Sequence, residues 1–442
     1  MNRSVAHRNC VLFCLVLIAL AVVAAFAWAE ASKPEVPEIV KLQQRVRSAA
    51  KEGRAKEAYE ERDTEIPTWL QDALSPAPDN AALLYYQAFL LRPEPNMTTS
   101  EKIVDVLRGA ESDSQIRTYL GHCLPMIQVA EIASRIPQCT WGLWNGPEPS
   151  FGWKDLHSNV SNLEYILVVD ARTLAADGHY RAALEHCLTL RRLARHLSED
   201  PRLDLAARNP DLMALRTVQY VLGVMAPDAD SLMWFRGQLA VVRGLRLSLG
   251  ETLQGDFNSF LGHMKTNPNR LAFLKKRLIE TAEDEQGKED ARNLADDQLL
   301  WRAREPLQRF LDSISRIADS EMTYEHKCAQ MQRMYTDLVE EYATDPIVGR
   351  VLSWADIDPT GYYPFLVGHQ AHINGVKAAV EVYLVVAKAG RLPEKLPDDL
   401  PKDPFTGRDF VYEITDEGFA LRCQGEEFLS RKNQFLEFKV RK

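Results

Sequence analysis

The sequence predicts a mainly helical protein with a small β-sheet at its C-terminal end, and three observations carry this prediction. Apolar residues recur at helical spacing through most of the chain. Two such segments flank Asp177-Gly178, a turn so short that the helices it joins must pack antiparallel. After Gly390 a proline-rich segment and then alternating apolar residues indicate short strands. We therefore expect stacked antiparallel helix hairpins, arranged as an irregular solenoid or as a helical bundle.

Residues 1–29 have the pattern of a secretory signal peptide or an uncleaved signal anchor. Arg3 and Arg8 precede twenty uncharged residues that end in Ala27-Trp28-Ala29. A run of about 20 apolar residues is also long enough to span a bilayer. In both cases we expect the body to be exported to the periplasm or cell envelope. It would contact the membrane only through residues 1–29, if these are retained.

A helical domain is expected over residues 30–389. Asp79-Asn80 can cap a helix, because either side chain can accept a hydrogen bond from an unpaired backbone N–H. Residues 346–364 contain three prolines and are expected to be irregular. The predicted helices cover residues 36–62, 80–91, 98–109, 112–135, 162–176, 180–197, 209–225, 228–248, 250–265, 268–284, 288–320, 321–343 and 365–389.

The clearest local structure is the helix pair at residues 162–197. Leu163 and Leu167 begin the apolar stripe of its first helix, and Asp170 is expected to face outward. The layout of the turn, GHYRAAL at 178–184, recurs as GRAKEAY at 53–59. Both copies resemble the middle of a tetratricopeptide unit, where small residues let two helices approach closely.

Residues 390–442 are predicted to form a proline-rich strap and a small β subdomain. The alternating segments at 409–414 and 418–423 indicate a hairpin, and residues 435–440 can add a third strand. The sequence Asp403-Pro-Phe-Thr-Gly407 suits a turn that leads into the first strand. Four aromatic residues would form the face of the sheet that packs on the helices: Phe405, Phe410, Tyr412 and Phe419.

Two segments of this chain resemble one family of exported proteins. CTWGLW at 139–144, followed by the helix pair LEYILVVDARTLAADGHYRAALEHCLTLRRLARHLSEDP, is similar to uncharacterised exported helical proteins of planctomycete-type bacteria. The C-terminal segment VEVYLVVAKAGRLPEKLPDDLPKDPFTGRDFVYEITDEGFALRCQG resembles the end of the same proteins. The resemblance implies an exported helical protein and supplies no activity.

The same C-terminal segment also resembles the type II secretion major pseudopilin. That family ends in an acidic, glycine-rich loop that binds calcium, whereas this chain continues QGEEFLSRKNQFLEF. The N-terminus also lacks the processing site of a pilin. Neither calcium binding nor a pilin is therefore expected.

Charge and cysteine content exclude some classes of function. The net charge of −9 argues against a nucleic-acid partner, which needs a basic face. The absence of a Cys-x-x-Cys pair argues against zinc-ribbon and thioredoxin folds. The five cysteines after residue 29 are expected to be free buried thiols, although Cys123 and Cys139 are close enough in sequence to form a disulfide.

No set of residues identifies a catalytic, cofactor or metal site. His369 and His372 share one helical face and could share a metal ion, but the nearest acid on that helix is Glu381, three turns on. Solvated or core histidines are the alternative. Acid pairs such as Glu340-Glu341 and Asp398-Asp399 would act on a glycoside only if they converge in a cleft.

The predicted function is that of a non-enzymatic, exported helical scaffold that binds a protein or an envelope polymer. Residues 137–153 are rich in proline, glycine and tryptophan, and we expect an irregular loop there. Its aromatic residues either pack the loop onto a helical face or, where exposed at 141–153, contribute to binding. The alternatives are a hydrolase or lyase acting on envelope polysaccharide through a carboxylate pair, and a secretion- or pilus-associated component.

Overall fold

The computed structural model describes residues 79–142, 150–200, 203–242, 245, 248–355, 357–424 and 435–440. These residues belong to one compact unit. The predictions for residues 1–29, for the helix at 36–62 and for the repeat copy at 53–59 lie outside the described residues.

The described residues are mainly helical and end in a small antiparallel sheet, as predicted. The helices are α1 (Ala81–Leu90), α2 (Met97–Arg108), α3 (Ser114–Arg135), α4 (Ser150–Ala176), α5 (Tyr180–Ser198), α6 (Asp204–Val224), α7 (Ala229–Val241), α8 (Leu249–Thr266), α9 (Pro268–Thr281), α10 (Glu285–Asn293), α11 (Asp296–Ala318), α12 (Tyr324–Tyr342), α13 (Val348–Ala355) and α14 (Pro359–Ala389). The strands are β1 (Val411–Ile414), β2 (Gly418–Arg422) and β3 (Phe435–Lys439).

Helix α5 lies at the centre of the first half and contacts α3, α4, α6 and α7. Its hairpin with α4 forms as predicted. Gly178 has a φ of 86°, which glycine adopts without strain, and His179 N donates to Leu174 O at 2.8 Å to close the turn. The apolar stripe of α5, from Ala183 to Leu197, is fully buried, so packing on four neighbours stabilises this helix.

Helix α14 joins two hydrophobic cores. Leu366 near its start belongs to a core formed by α8, α9, α11, α12 and α13. Residues from Ile373 to Leu384 belong to a second core with α4 to α7 and the sheet. The strap and sheet therefore share a core with the helices.

One predicted helix and one predicted irregular segment were wrong, and the helix expected at 228–248 ends at Val241. The single helix expected at 288–320 is two helices, α10 and α11, because Gln298 Oε1 accepts from the backbone N–H of Ala295 and starts a new helix there. The irregular segment expected at 346–364 contains α13 and the start of α14. Pro359 occupies the first turn of α14, where the missing N–H costs nothing, and Asp358 caps it.

The sheet has the order β1-β2-β3 and packs on the helices as predicted, where β3 contacts α6 and α14. Phe419 of β2 stacks on Phe438 of β3, with ring centroids 5.0 Å apart, and meets the ring of Tyr383 at 5.6 Å. A Cβ added to Gly375 would lie 2.2 Å from Leu436 Cδ1, which shows how closely α14 approaches β3. Asp403 anchors the predicted turn by accepting from Phe405 N and Gln424 N.

The prediction that Asp170 faces outward was wrong, because its side chain is fully buried. His186 Nε2 lies 2.8 Å from Asp170 Oδ2, and Nδ1 lies 3.0 Å from Glu131 Oε1. Burial alone would lower the pKa of His186, but hydrogen bonding and the charges of these two carboxylates outweigh it and raise the pKa to about 9. An imidazolium thus links α3, α4 and α5.

None of the described helices is both long and apolar enough to cross a membrane.

Substituting Gly418 tests the packing of β2 against β3. In Gly418→Ala the new Cβ would lie 2.0 Å from the carbonyl oxygen of Phe438, so the strands must move apart. We expect a loss of about 2 kcal/mol in the free energy of unfolding, measured by urea denaturation. Gly361→Ala is the control, because its Cβ meets no atom within 4 Å. An equal loss in both variants would contradict the close approach.

The buried imidazolium predicts a pH dependence of stability. Because the pKa of His186 is raised by folding, its contribution is fully present below pH 6.5 and is lost as the pH rises through about 9. A rise in the pKa of His186 from 6.5 to about 9 corresponds to a contribution of about 3 kcal/mol to the free energy of unfolding. The variant His186→Gln should lack this loss between pH 6.5 and 9.5 in urea denaturation. His326→Gln, at an exposed position, should keep this loss of stability. The same pH dependence of stability in His186→Gln as in the wild type would contradict the role of the buried imidazolium.

Candidate functional site

A cavity of about 330 Å³ lies where α6 and α14 meet the sheet. Its walls are mostly apolar. The polar residues that line it are Arg216 from α6 and His369 and His372 from α14. The remaining lining residues are Leu212, Pro364, Phe365, Gly368, Ala371, Phe405, Phe410, Leu421, Cys423 and Leu436. An apolar pocket with a few convergent polar groups is the usual form of a small-molecule site, and this volume is at the lower end of the range.

A buried charge network positions the first histidine. His369 Nε2 lies 2.7 Å from Asp211 Oδ2, and Arg191 Nε donates to Asp211 Oδ1 at 2.9 Å. Burial alone would raise the pKa of Asp211, but Arg191 and then His369 hold it below the usual value, so the carboxylate is ionised. An ionised carboxylate only accepts hydrogen bonds, so Nε2 of His369 carries the proton.

The two histidines leave hydrogen-bonding capacity unused beside the cavity. His369 is 3% exposed, and its Nδ1 has no hydrogen-bond partner. The Nε2 of His372 is likewise buried and without a partner. Burial, the neighbouring His369 and the charge of Arg216 lower the pKa of His372 to about 4, so its imidazole is neutral at pH 7. Unpartnered buried polar atoms are rare in native proteins and indicate a ligand or water.

Arg216 makes this end of the cavity suited to an anion. Its guanidinium is exposed, and no carboxylate within the described part of the chain pairs with it. Guanidinium groups bind carboxylates through two parallel hydrogen bonds. The same positive charge opposes a metal cation at His372. The arrangement therefore fits a ligand with an apolar body and one anionic group.

The structure brings His369 and His372 together but places Glu381 elsewhere. Glu381 lines a second cavity of about 290 Å³ with Asp398, Asp399, Lys377 and Arg236. Arg236 Nη1 lies 3.4 Å from the Glu381 carboxylate. Glu340 and Glu341 are exposed on α12. The polysaccharide hydrolase or lyase stays a prediction.

Trp141 has a structural role. It is 3% exposed, and its indole Nε1 donates to the carbonyl of His196 at 2.9 Å. Its ring stacks on Tyr85 with centroids 5.4 Å apart. For Trp141 the packing alternative is confirmed and the binding alternative is not, because the tryptophan fixes its loop to the end of α5. The irregular structure expected at 137–153 is also wrong from Ser150 onward, where α4 begins.

The cysteines and histidines form no metal site in the described ranges, where no three ligand side chains lie close enough to hold an ion. The five described cysteines are free: Cys123, Cys139, Cys187, Cys328 and Cys423. Cys423 lines the first cavity, where burial and then Asp403 raise the pKa of its thiol to about 12. It is therefore protonated, and not a nucleophile, at neutral pH.

Sequence reasoning missed three members of the site, Arg191, Asp211 and Arg216. One signal was available for Arg191. It lies four residues after Cys187 and three before Ala194, on the apolar stripe of α5, where a charge must find a buried partner. No comparable pattern marks Asp211, because its partner His369 is 158 residues away.

No family model, curated protein or solved structure matches this chain. The resemblances to planctomycete-type exported proteins and to the pseudopilin stay predictions.

The network predicts that Arg191 and Asp211 depend on each other. In Asp211→Asn the buried guanidinium of Arg191 loses its counter-charge, and we expect the free energy of unfolding to fall by about 3 kcal/mol. The double variant Asp211→Asn with Arg191→Met should regain most of that loss. Urea denaturation of Asp211→Asn, of Arg191→Met and of the double variant completes a double-mutant cycle. Additive losses would contradict the coupling.

Proposed function

We propose that the protein is an exported, non-enzymatic helical binding protein of the cell envelope, and that its cavity takes a small organic carboxylate with an apolar body. The observation that carries the proposal is the pairing of unpartnered polar groups with apolar walls in one cavity. Arg216 would bind the carboxylate, and Phe405 and Phe410 lie among the walls that would enclose the apolar part.

The energetics of each group support an anionic ligand. A carboxylate in the cavity would accept hydrogen bonds from Arg216, and such charge-assisted bonds contribute about 1.5–3 kcal/mol each. A neutral His372 accepts or donates according to its tautomer. The apolar walls would stabilise the ligand body by about 25 cal/mol per Å² of surface removed from water.

A binding role is better supported than catalysis by the chemistry of the lining. His369, oriented by Asp211, has the form of a general base. The one thiol beside the cavity, that of Cys423, is kept protonated. Among the other lining residues of this cavity, none supplies a hydroxyl group or a carboxylate to act as a nucleophile.

Export is proposed from residues 1–29 alone, where a basic start precedes the apolar run. N-terminal sequencing of the native protein tests it directly. A mature chain that begins at Glu30 would identify a cleaved signal, and an intact Met1 in a membrane fraction would identify an anchor. An intact Met1 in the soluble cytoplasmic fraction would contradict export.

Octanoate binding, measured by isothermal titration calorimetry, tests the cavity. We expect octanoate to bind and Arg216→Ala to weaken it about tenfold, because one charge-assisted interaction is lost. Octanol, which lacks the charge, should bind weakly and equally to both proteins. The control Arg333→Ala removes the same charge from the exposed face of α12 and should leave octanoate affinity unchanged.

A cavity-filling variant separates binding inside the cavity from binding at the surface. Gly368 lines the cavity, and a Cβ there meets no atom within 4 Å, so Gly368→Leu should abolish octanoate binding without unfolding the protein. Gly361→Leu is the matched control on the same helix. Octanoate binding to Gly368→Leu with wild-type affinity, or no binding to the wild type, would refute the proposed ligand class.

A further inference from the structure

A further cavity, beside α5, carries a concentrated positive charge. It has a volume of about 390 Å³ and lies between the end of α3, the outer face of α5 and α7. We call it the arginine groove, and its lining residues are Arg135, Arg181, Glu185, Arg192, Trp234 and Gln238. Three arginines and one glutamate line it, which leaves an excess of two positive charges in a chain whose net charge is −9.

Two arginines of the groove, Arg135 and Arg192, already bind a carboxylate. Arg135 Nη2 donates to Glu185 Oε1 at 3.0 Å, and Arg192 Nη1 donates to the same oxygen at 2.9 Å. A single carboxylate thus holds two guanidinium groups from α3 and α5 side by side. Each guanidinium has five N–H donors, so both retain donors that Glu185 does not use.

Arg181 is the unpaired member of the groove. Its guanidinium lies over the ring of Trp234, with Cζ 4.7 Å from the centroid, and no carboxylate in the described residues contacts it. Stacking on the indole orients a flat guanidinium while its edge stays free to bind an oxyanion with two hydrogen bonds. The groove therefore contains one oriented, unpaired cation beside two that share a counter-ion.

We propose that the arginine groove binds a uronic acid residue of an acidic polysaccharide. The sugar carboxylate would pair with the edge of Arg181, and the amide of Gln238 would bind a hydroxyl group. The volume exceeds what an inorganic oxyanion fills, and the groove combines a carboxylate-binding group, an indole and an amide, which a sugar acid can use together. This inference is independent of the cavity at His369.

Glucuronate binding to the full chain, measured by isothermal titration calorimetry, tests the groove. We expect glucuronate to bind at low salt, glucose to bind at least tenfold more weakly, and affinity to fall as salt screens the charges. Arg181→Ala should weaken glucuronate binding about tenfold. Arg181→Lys should weaken it less than Arg181→Ala but should not reach wild-type affinity, because a lysine lacks the planar pair of donors. Arg216→Ala, which removes the same charge at the other cavity, should leave glucuronate unaffected.

Inorganic phosphate and anionic phospholipid vesicles distinguish the other sources of negative charge. Phosphate that binds as tightly as glucuronate would show an unspecific oxyanion site and would overturn the proposal. Binding to vesicles but not to glucuronate would assign the groove to a lipid surface and would also overturn it. Circular dichroism melting checks that Arg181→Ala is folded, and unchanged glucuronate affinity in that folded variant would refute the role of the arginine groove.

Discussion

The pairing of charges buried on α5 is the constraint on which the rest of the helical body depends. His186 meets Glu131 and Asp170 from α3 and α4, and Arg191 meets Asp211 from α6. A buried ion pair adds little net stability compared with an apolar replacement, but the loss of one partner is costly. These pairs therefore act chiefly by requiring one arrangement of the neighbouring helices, in which every charge has its partner.

The same pairing connects packing to the candidate site. Asp211 binds Arg191 through one carboxylate oxygen and His369 through the other. The position of α14 relative to α6, and hence the cavity between them, is tied to the charge of α5. The strap contributes Phe405 and Phe410 to the lining of this cavity, and β2 contributes Leu421. Core and site are thus built from the same contacts.

The cavity at His369 and the arginine groove differ in how their charged groups are paired. At His369 the charges of Arg191 and Asp211 pair with each other, and no carboxylate among the described residues pairs with Arg216, which suits a mainly apolar ligand with one anionic group. In the arginine groove two cations share one acid and the third stacks on an indole, which suits a polar, anionic ligand. One scaffold therefore presents two cavities of different chemistry.

Local patterns in the sequence determined the helical class, the turn at Gly178, the strap and the three strands, because each depends on residues that are neighbours along the chain. A cap at Asp79-Asn80 was recognisable for the same reason, and the structure assigns it to Asn80. The sequence also brought His369 and His372 together, since they lie one turn apart. Tertiary structure alone decided that Asp170 is buried, that Asp211 pairs with His369 and that Arg181 stacks on Trp234. These contacts join residues that are far apart in the chain or on separate helices, and helical spacing says nothing about which faces will meet.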